Sequence, residues 1–503
     1  METRPSGKEC WLVYLLGALY VFVVMRFGFG PASLSMQYRP EYDLNIYYLV
    51  GRGWMEGLIP YQDLADLKGP LVFLLHGVGA WLTPGRFLGA CLLESLLLGV
   101  GVLFAYRSAR LYFSLPVSCG ILGLYSVSML YFSLHPAELV WVLQQVTLYY
   151  LLRYGTVGRA PGWRAQLVLG ASAAVVLLVK FNLAAFWLPF CLWGVIAAGR
   201  RWWRALLVQT LGVTLPLGLV GGCFYQMGAL EDMWREYIGV ALQYGGCVWG
   251  ESALATRGWL LASELLPLHL HTAMPEPLAA SLGWLCLLPC VFLPVLIGRP
   301  ACRLLLPVLL ASFVLALVAN YGGAHCYIHY AFGFSVYLLL GIMVLARLAK
   351  QVIPWVGACV ALAAVLFAVG LPVASRLLKP DSGNAEMSQT SHELGTMLAS
   401  GEDLLVLDVR AALHLHRLSG TLPHCPHFIP SMVRGGMAQH REELASCIRK
   451  RSPRYILSTT ASADMDAALL SDEYRRCDHA TLGLPAFPET GKYPEFVLYI
   501  RKD

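Results

Sequence analysis

The charged side chains of one polar loop are the first candidates for chemistry in this sequence. Residues 40–70 read PEYDLNIYYLVGRGWMEGLIPYQDLADLKGP, in a chain of which only 14% is charged. The charged residues of this loop include Glu41, Asp43, Glu56, Asp63, Asp66 and Lys68. A carboxylate can take a proton or bind a divalent cation, and an ammonium can hold a phosphate.

Asp43 follows the first long apolar segment of the chain. An enzyme that joins a sugar to an acceptor needs a base to take the acceptor's proton, and a carboxylate at a membrane surface can meet a lipid-bound donor and an outside acceptor together. Asp43 could equally cap the helix that we predict at 44–57. Both roles can hold at once.

Asp63 and Asp66 are three residues apart, and Lys68 follows them. Two carboxylates at this spacing can share a helix face, bind a divalent cation or solvate a loop. The Lys68 ammonium could hold a phosphate at headgroup depth, or it could simply extend to the interface as membrane-flanking lysines do. The spacing leaves these alternatives open.

Polar residues from later in the chain are predicted to lie at the same outer face as this loop. They are Glu138, Lys180, Asn182, His325, His329 and Tyr330. Charged residues at membrane depth are costly and are functional candidates by default, although Glu138 could cap a helix and Lys180 could pair with a buried carboxylate. The two histidines could bind a metal, but no third ligand accompanies them, so contact with a lipid phosphate or a sugar is the better prediction.

The elements that must position these residues are membrane-spanning helices. Hydrophobic residues make up 57% of the 503 residues, and the mean hydropathy is +0.59. Apolar runs of about 18 residues between short loops are typical of a polytopic α-helical membrane protein. We predict eleven spans, at 11–28, 87–106, 116–132, 137–154, 165–179, 183–198, 205–226, 279–297, 304–319, 327–345 and 353–374.

Basic residues orient these spans. With the N-terminus inside, the inner loops hold about fourteen Lys and Arg residues and, beyond Glu2 and Glu9, no carboxylate. Because the basic residues lie in short loops, the net charge of +6 does not indicate nucleic-acid binding. We therefore predict that the loop at 30–86 and the C-terminal tail lie outside, in a bacterial inner (plasma) membrane.

The apolar segment at 68–85 is predicted not to span the membrane. Counting it as a span would reverse every later loop and place the basic clusters outside. His76 and three glycines also interrupt it. We predict a helix at the outer surface, beside the second such helix at 44–57.

The chain changes character after residue 375. A polar linker at 376–394 separates the transmembrane domain, 1–375, from a tail at 395–503, in which short β-branched runs alternate with helical stretches. This pattern predicts a small α/β domain with a docking or lid role. Among Cys425, Cys447 and Cys477, one pair could form a disulfide if the tail lies outside the cytoplasm.

The first loop carries a family resemblance. An Asp after the first span, a helix, G-x-x-P-Y-x-D and then D-x-K-G-P-L resemble the GT-C superfamily of polyprenyl-phosphate-sugar glycosyltransferases, in its branch of protein O-mannosyltransferases and lipid A aminoarabinose transferases. The matching pieces are Asp43, GLIPYQDLADLKGPL, Arg86, Glu138, Lys180 and YIHY at 327–330. The resemblance covers most of residues 10–375, and the tail is similar to the outside domain of such enzymes.

The resemblance implies a GT-C-like fold and an inverting sugar transfer from a polyprenyl-phosphate donor to an extracytoplasmic acceptor. The transfer would be independent of metal or loosely assisted by a divalent cation, with Asp43 as the base. The further substrate-binding candidates are Glu138, Asp63 and Asp66 at the sugar, Lys68, Arg86, Lys180 and His329 at the donor phosphate, and also Tyr61, His325 and Tyr330. For Arg86, an ion pair with Glu94 is the plain structural alternative. The sequence has KGP where the aminoarabinose branch usually has a double proline, and it lacks the long outer insertion of eukaryotic protein mannosyltransferases, so the sugar and the acceptor stay open.

Two other functions fit part of the sequence. A transporter or flippase of lipid-linked sugars predicts inverted repeats and charges near mid-bilayer, whereas the polar residues here cluster at one face. An envelope scaffold with a partner-binding tail leaves the acidic first loop unexplained.

Overall fold

The computed structural model describes residues 42–130, 137–158, 160–242, 276–321, 333–352, 404–406, 413, 416, 417, 420–423, 425–428, 438–459, 473–477 and 496–502. The predicted spans at 11–28 and 353–374 lie outside these residues, as do His325, His329 and Tyr330. The chain divides into two compact units, of which one holds most of the long helices and the other holds residues 34–92, 223–248 and 379–503.

The described part of the chain is mainly helical. Its α-helices are α1 Tyr42–Met55, α2 Pro70–Leu82, α3 Leu88–Arg110, α4 Leu115–Leu130, α5 Ala137–Val157, α6 Trp163–Leu177, α7 Leu188–Ala197, α8 Trp202–Gln226, α9 Leu230–Met233, α10 Glu276–Ile297, α11 Arg299–Tyr321, α12 Ser335–Val352 and α13 Ala438–Arg451. A 3₁₀ helix at Phe181–Trp187 precedes α7, and a π-helical stretch at Trp234–Val240 follows α9.

Several of these helices are strongly apolar. Among the described residues, three helices are long and apolar enough to cross a membrane, at Leu88–Arg110, Gly199–Gln226 and Arg303–Asn320, and shorter apolar helices cover most of the other predicted spans. Only 11% of the apolar window in Gly199–Gln226 is buried, so most of its leucines face outward, as lipid contact requires. The count of eleven spans stays a prediction.

Close backbone contacts and buried hydrogen bonds hold the larger helical unit together. A Cβ atom on Gly341 of α12 would overlap the Leu285 carbonyl of α10, so only glycine allows the two helices to approach this closely. Between α4 and α5, the Trp141 indole and the Gln145 amide both donate to the Tyr125 hydroxyl at 2.8 Å. Such pairs satisfy polar groups where no water is available.

Two short helices, α1 and α2, pack together in the second unit. A Cβ atom on either Gly51 or Gly77 would overlap the backbone of the other helix, so these glycines bring the two axes into close contact. With 13 residues, α2 is about 20 Å long, well short of the roughly 30 Å hydrocarbon layer of a membrane. A straight helix of this length is too short to span the membrane.

The second unit also contains a four-stranded sheet, formed by β1 Leu404–Val406, β2 Tyr455–Thr459, β3 Tyr474–Cys477 and β4 Phe496–Arg501. The strand order is β1-β2-β4-β3, with β1 parallel to β2 and the other neighbours antiparallel. Three strands coincide with the apolar runs of the tail, whereas β3 has the sequence YRRC and carries no such signal. The boundaries of the tail domain stay a prediction.

Candidate functional site

Asp43 lies in the first turn of α1, because the helix begins one residue earlier, at Tyr42. A carboxylate in the first turn is favourable, since the helix dipole places partial positive charge there. Tyr47, one turn further on, donates its hydroxyl to Asp43 Oδ2 at 3.2 Å. The helix and the Tyr47 hydroxyl orient the Asp43 side chain. Because this side chain is 30% exposed, it remains accessible to a substrate.

Lys68 approaches Asp43 from the turn that precedes α2. Its Nζ lies 3.9 Å from Asp43 Oδ2 and 5.4 Å from the centre of the Tyr47 ring. A separation of 3.9 Å is an ionic contact and is too long for a short hydrogen bond. The pair therefore places a proton acceptor and a cation next to each other, and both side chains are partly exposed. Transfer of a group from an anionic donor requires both.

Asp66 lies beneath this pair and is almost fully buried, with 3% of its surface exposed. Its Oδ2 accepts the backbone N–H of Lys68 at 3.3 Å, and its Oδ1 has no hydrogen-bond partner among the described residues. Burial raises the pKa of Asp66 above its ordinary value; Lys68 opposes this shift, and the charge of Asp43 adds to it. We conclude that Asp66 supports the Lys68 backbone from inside the loop.

Tyr61 has a supporting position too. Its backbone adopts φ +71°, a left-handed conformation that is uncommon for residues other than glycine. Its side chain is 1% exposed and packs against the rings of Phe73 and Phe224, while its hydroxyl donates to the Lys68 carbonyl at 2.7 Å. Burial raises the pKa of Tyr61 well above its ordinary value, so the hydroxyl stays protonated and keeps this bond.

Asp63 closes the turn that leads into this cluster. Its Oδ2 accepts the backbone N–H of Ile59 at 2.8 Å, and its own N–H donates to the Ile59 carbonyl at 2.8 Å. Such a bond from an aspartate side chain to a nearby backbone amide stabilises a turn. In this structure Asp63 therefore shapes the loop.

The C-terminal tail contributes a buried arginine to the same unit. Arg417 is 2% exposed and lies 4.3 Å from the centre of the Phe87 ring. Its Nη1 donates to the Gly85 carbonyl at 2.8 Å, and its Nε donates to Oδ1 of Asn45 at 3.3 Å. Since Asn45 lies two residues after Asp43 in α1, Arg417 ties the start of that helix to the connection between α2 and α3.

A second contact from the tail reaches the loop beside Asp66. The backbone N–H of Ala65 donates to the Pro426 carbonyl at 2.8 Å. Pro426 follows Cys425, which forms a disulfide with Cys447 of α13. The structure thus identifies the disulfide pair among the three tail cysteines and places it next to a residue that holds the loop.

The remaining predicted site residues lie elsewhere or are described only in part. Arg86 is exposed, in the connection before α3. Glu138 lies in α5, and its side chain is outside the described residues. Lys180 belongs to the other compact unit, where it precedes the 3₁₀ helix, and Asn182 donates to the Ala319 carbonyl at 2.6 Å.

The described residues contain no group of three or more His, Cys, Asp or Glu side chains arranged to hold a metal ion. Sequence reasoning identified Asp43, Asp66 and Lys68 but missed Tyr47 and Arg417. The i, i+4 spacing of Asp43 and Tyr47 in a predicted helix was an available signal. Arg417 had none, since a lone arginine in AALHLHRLSG cannot be distinguished from a solvated one by its spacing.

No protein-family model matches this sequence, and no curated protein matches it. Similar solved structures include the archaeal oligosaccharyltransferase AglB from Archaeoglobus fulgidus, in complex with an inhibitory peptide and a dolichol-phosphate. The identity is 13% and the TM-score 0.49, over 92% of this chain and 70% of AglB. ArnT from Cupriavidus metallidurans bound to undecaprenyl phosphate is 14% identical with a TM-score of 0.49, over 98% of each chain. The same ArnT in its apo state is 14% identical to this chain, with a TM-score of 0.43, over 98% of each chain. AglB and ArnT belong to the GT-C superfamily.

Proposed function

We propose that this protein is a membrane glycosyltransferase that moves a sugar from a polyprenyl-phosphate donor to an acceptor outside the cytoplasm. The observation that carries the proposal is the Asp43–Lys68 pair, with 3.9 Å between Oδ2 and Nζ. This pair lies within the sequence that resembles the superfamily, and it joins the first turn of α1 to the turn before α2, two helices too short to span a membrane. The disulfide in the tail supports an extracytoplasmic location.

The chemistry is an inverting single displacement with Asp43 as the base. An acceptor hydroxyl or amine attacks the anomeric carbon, its proton passes to Asp43, and the bond from the anomeric carbon to the phosphate oxygen breaks. Polyprenyl phosphate leaves with the electron pair of that bond. Lys68 exchanges its contact with Asp43 for the phosphate, whose growing negative charge it stabilises.

Asp66 and Tyr61 position Lys68 in this proposal. Asp66 accepts the Lys68 N–H, and Tyr61 donates to the Lys68 carbonyl, so the backbone of the cation is held on both sides. A cation held in advance of the reaction stabilises the leaving group without rearranging in the transition state. Lys180, Arg86, Glu138, His325, His329 and Tyr330 remain candidates for the rest of the substrate site.

Sugar transfer by the purified protein, from a polyprenyl-phosphate-linked donor, tests the proposal. Asp43→Asn is expected to lower kcat by about 100-fold or more, because a positioned base contributes 10²–10⁴. Glu56→Gln is the matched control, since Glu56 is an exposed carboxylate on the same loop, paired with Arg52. The proposal fails if Asp43→Asn transfers sugar as fast as the parent.

The role of Lys68 needs a separate measurement. Lys68→Met is expected to raise the KM for the donor by roughly tenfold or more, since a charge-assisted contact with phosphate contributes about 1.5–3 kcal/mol. Lys68→Arg keeps the charge and is expected to recover part of the loss. An unchanged donor KM in Lys68→Met would remove Lys68 from the phosphate site and leave the role of Asp43 standing.

A further inference from the structure

Tyr47 lies at the contact between the two short helices α1 and α2. It is fully buried, with 0% of its surface exposed, and it lies one turn before Gly51, where the backbones of the two helices approach closely. The centre of its ring lies 6.4 Å from that of Phe73 and 5.4 Å from that of His76, both on α2. These contacts fix the plane of the Tyr47 ring before any substrate binds.

The same side chain contacts both members of the Asp43–Lys68 pair. The Tyr47 hydroxyl donates to Asp43 Oδ2 at 3.2 Å, and the centre of the ring lies 5.4 Å from Lys68 Nζ. The side chains of Asp43 and Lys68 are 30% and 21% exposed, respectively, whereas Tyr47 is not exposed at all. One rigid, buried side chain therefore contacts both partly exposed charges.

The two contacts have different effects on their partners. A hydroxyl that donates to a carboxylate stabilises the ionised form, and this is the form of Asp43 that takes a proton. A ring face within about 6 Å attracts a cation, which limits the freedom of the flexible four-carbon side chain of Lys68. Because Tyr47 is shielded from water, solvent competes little with either contact.

In the proposed reaction Lys68 leaves Asp43 for the donor phosphate, so Asp43 loses a partner at the step in which it must face the acceptor. The titratable groups that face Asp43 include Tyr47 on its own helix, and Lys68 and Asp66 on the turn packed against it; His76 of α2 contacts the Tyr47 ring. The Tyr47 hydroxyl stays in place during the exchange, because the packing of α2 holds its ring. It thus gives Asp43 a partner that does not depend on Lys68.

We propose that Tyr47 is a positioning residue for the transfer reaction: its hydroxyl keeps Asp43 oriented as the base, and its ring guides Lys68 between Asp43 and the donor phosphate. Tyr47 itself touches neither donor nor acceptor, since it is fully buried. The inference rests on the proposed function, because the positions of a base and a cation matter to catalysis only if both act in the transfer.

Tyr47→Phe tests the hydroxyl, because it removes the hydrogen bond and keeps the ring. The measurement is kcat/KM against pH for sugar transfer by the purified full chain from a polyprenyl-phosphate-linked donor. Without the hydroxyl the ionised form of Asp43 is less favoured, so we expect the acidic limb of the profile to move to higher pH by about 0.5–1 unit. Binding of polyprenyl phosphate alone should stay at the parent affinity.

Tyr48→Phe is the matched control. Tyr48 is the next residue of α1, is also 0% exposed, and accepts the backbone N–H of Gly85 on its hydroxyl at 2.7 Å. Removing this hydroxyl costs a hydrogen bond elsewhere and leaves the bond between Tyr47 and Asp43 in place. We therefore expect Tyr48→Phe to lower the melting temperature and to keep the acidic limb of the parent.

Tyr47→Leu tests the ring, since it removes the contact with the cation as well as the hydroxyl. We expect polyprenyl phosphate, titrated without any acceptor, to bind about two- to fivefold more weakly to this variant than to Tyr47→Phe. The same change in Lys68→Met should add no further loss, because the cation that the ring holds is then absent. Tyr47→Met, whose side chain is longer, replaces this variant should Tyr47→Leu fold poorly.

The outcomes separate this inference from the proposed function. If Asp43→Asn is slow while Tyr47→Phe keeps the parent acidic limb, or if Tyr48→Phe shifts the limb equally, Tyr47 does not position the base and the proposed function stands. Equal affinities of Tyr47→Leu and Tyr47→Phe for polyprenyl phosphate would remove the role of the ring. If instead Asp43→Asn transfers sugar at the parent rate, the proposed function fails and this inference fails with it.

Discussion

Arg417→Ala tests whether the tail holds the loop that contains Asp43 and Lys68, and its effect can be worked out from the contacts of one side chain. The change removes the hydrogen bond to the Gly85 carbonyl, the longer one to Asn45, and the contact with the Phe87 ring. It leaves Asn45, which is fully buried, without this donor. We expect the first turns of α1 and the α2–α3 connection to open locally more often than in the parent protein.

The magnitude follows from these three losses. A hydrogen bond from a charged donor contributes about 1.5–3 kcal/mol, and a partly desolvated cation–ring contact about 0.5–2 kcal/mol. The longer bond to Asn45 adds less. Removing a buried guanidinium also removes the cost of keeping a charge away from water, which offsets part of the loss. We therefore expect a local destabilisation of about 2–4 kcal/mol.

Hydrogen exchange measured by mass spectrometry is the assay, because it reports local opening peptide by peptide. A loss of 3 kcal/mol corresponds to roughly 150-fold faster exchange, which we expect in peptides from 42–55 and 83–92. Arg475→Ala, an exposed arginine of the same tail, is the control and should change these peptides little. If Arg417→Ala leaves their exchange at the parent rate, the tail does not hold the loop through this residue.

Three further predictions concern Asp66, Tyr61 and the disulfide, which hold the loop that contains Lys68. Burial raises the pKa of Asp66, so its contribution to the free energy of unfolding is full below the ordinary pKa of 3.8 and is lost as the pH rises through the raised pKa. Asp66→Asn should therefore make the melting temperature depend less on pH between these two pKa values. An unchanged slope of melting temperature against pH would contradict this prediction. Tyr61→Phe should cost about 1–2 kcal/mol by leaving the Lys68 carbonyl without its donor, raising donor KM while kcat changes little; a fall in kcat alone would refute the positioning role. Cys425→Ser with Cys447→Ser should lower the free energy of unfolding by about 2–4 kcal/mol and speed exchange of the Ala65 amide, whereas parent-like exchange there would show that the disulfide does not support the loop.

The sequence predicts local structure here better than it predicts contacts between distant parts. The short helix after Lys68 was predicted because basic loops orient the spans and because glycines interrupt the segment, and α2 covers that region. Strand β3 was missed because YRRC has no alternation of apolar and polar residues, and its pairing with β4 overrides that weak propensity. Periodicity also cannot reveal burial: Asp66 and Tyr61, which we predict to bind substrate, are 3% and 1% exposed and make hydrogen bonds to the backbone of Lys68. Their role at the substrate stays a prediction.

The contacts between Arg417 and Asn45 join residues 372 positions apart, and that separation has a consequence for biosynthesis. Chains emerge from the N-terminus at about 5–20 residues per second, so α1 is made some tens of seconds before its partner in the tail. During that interval the loop with Asp43 and Lys68 lacks both the arginine and the Pro426 carbonyl. The candidate site is therefore completed only after Arg417 and Pro426 have been made, and a truncation of the tail that removes them also changes the first loop.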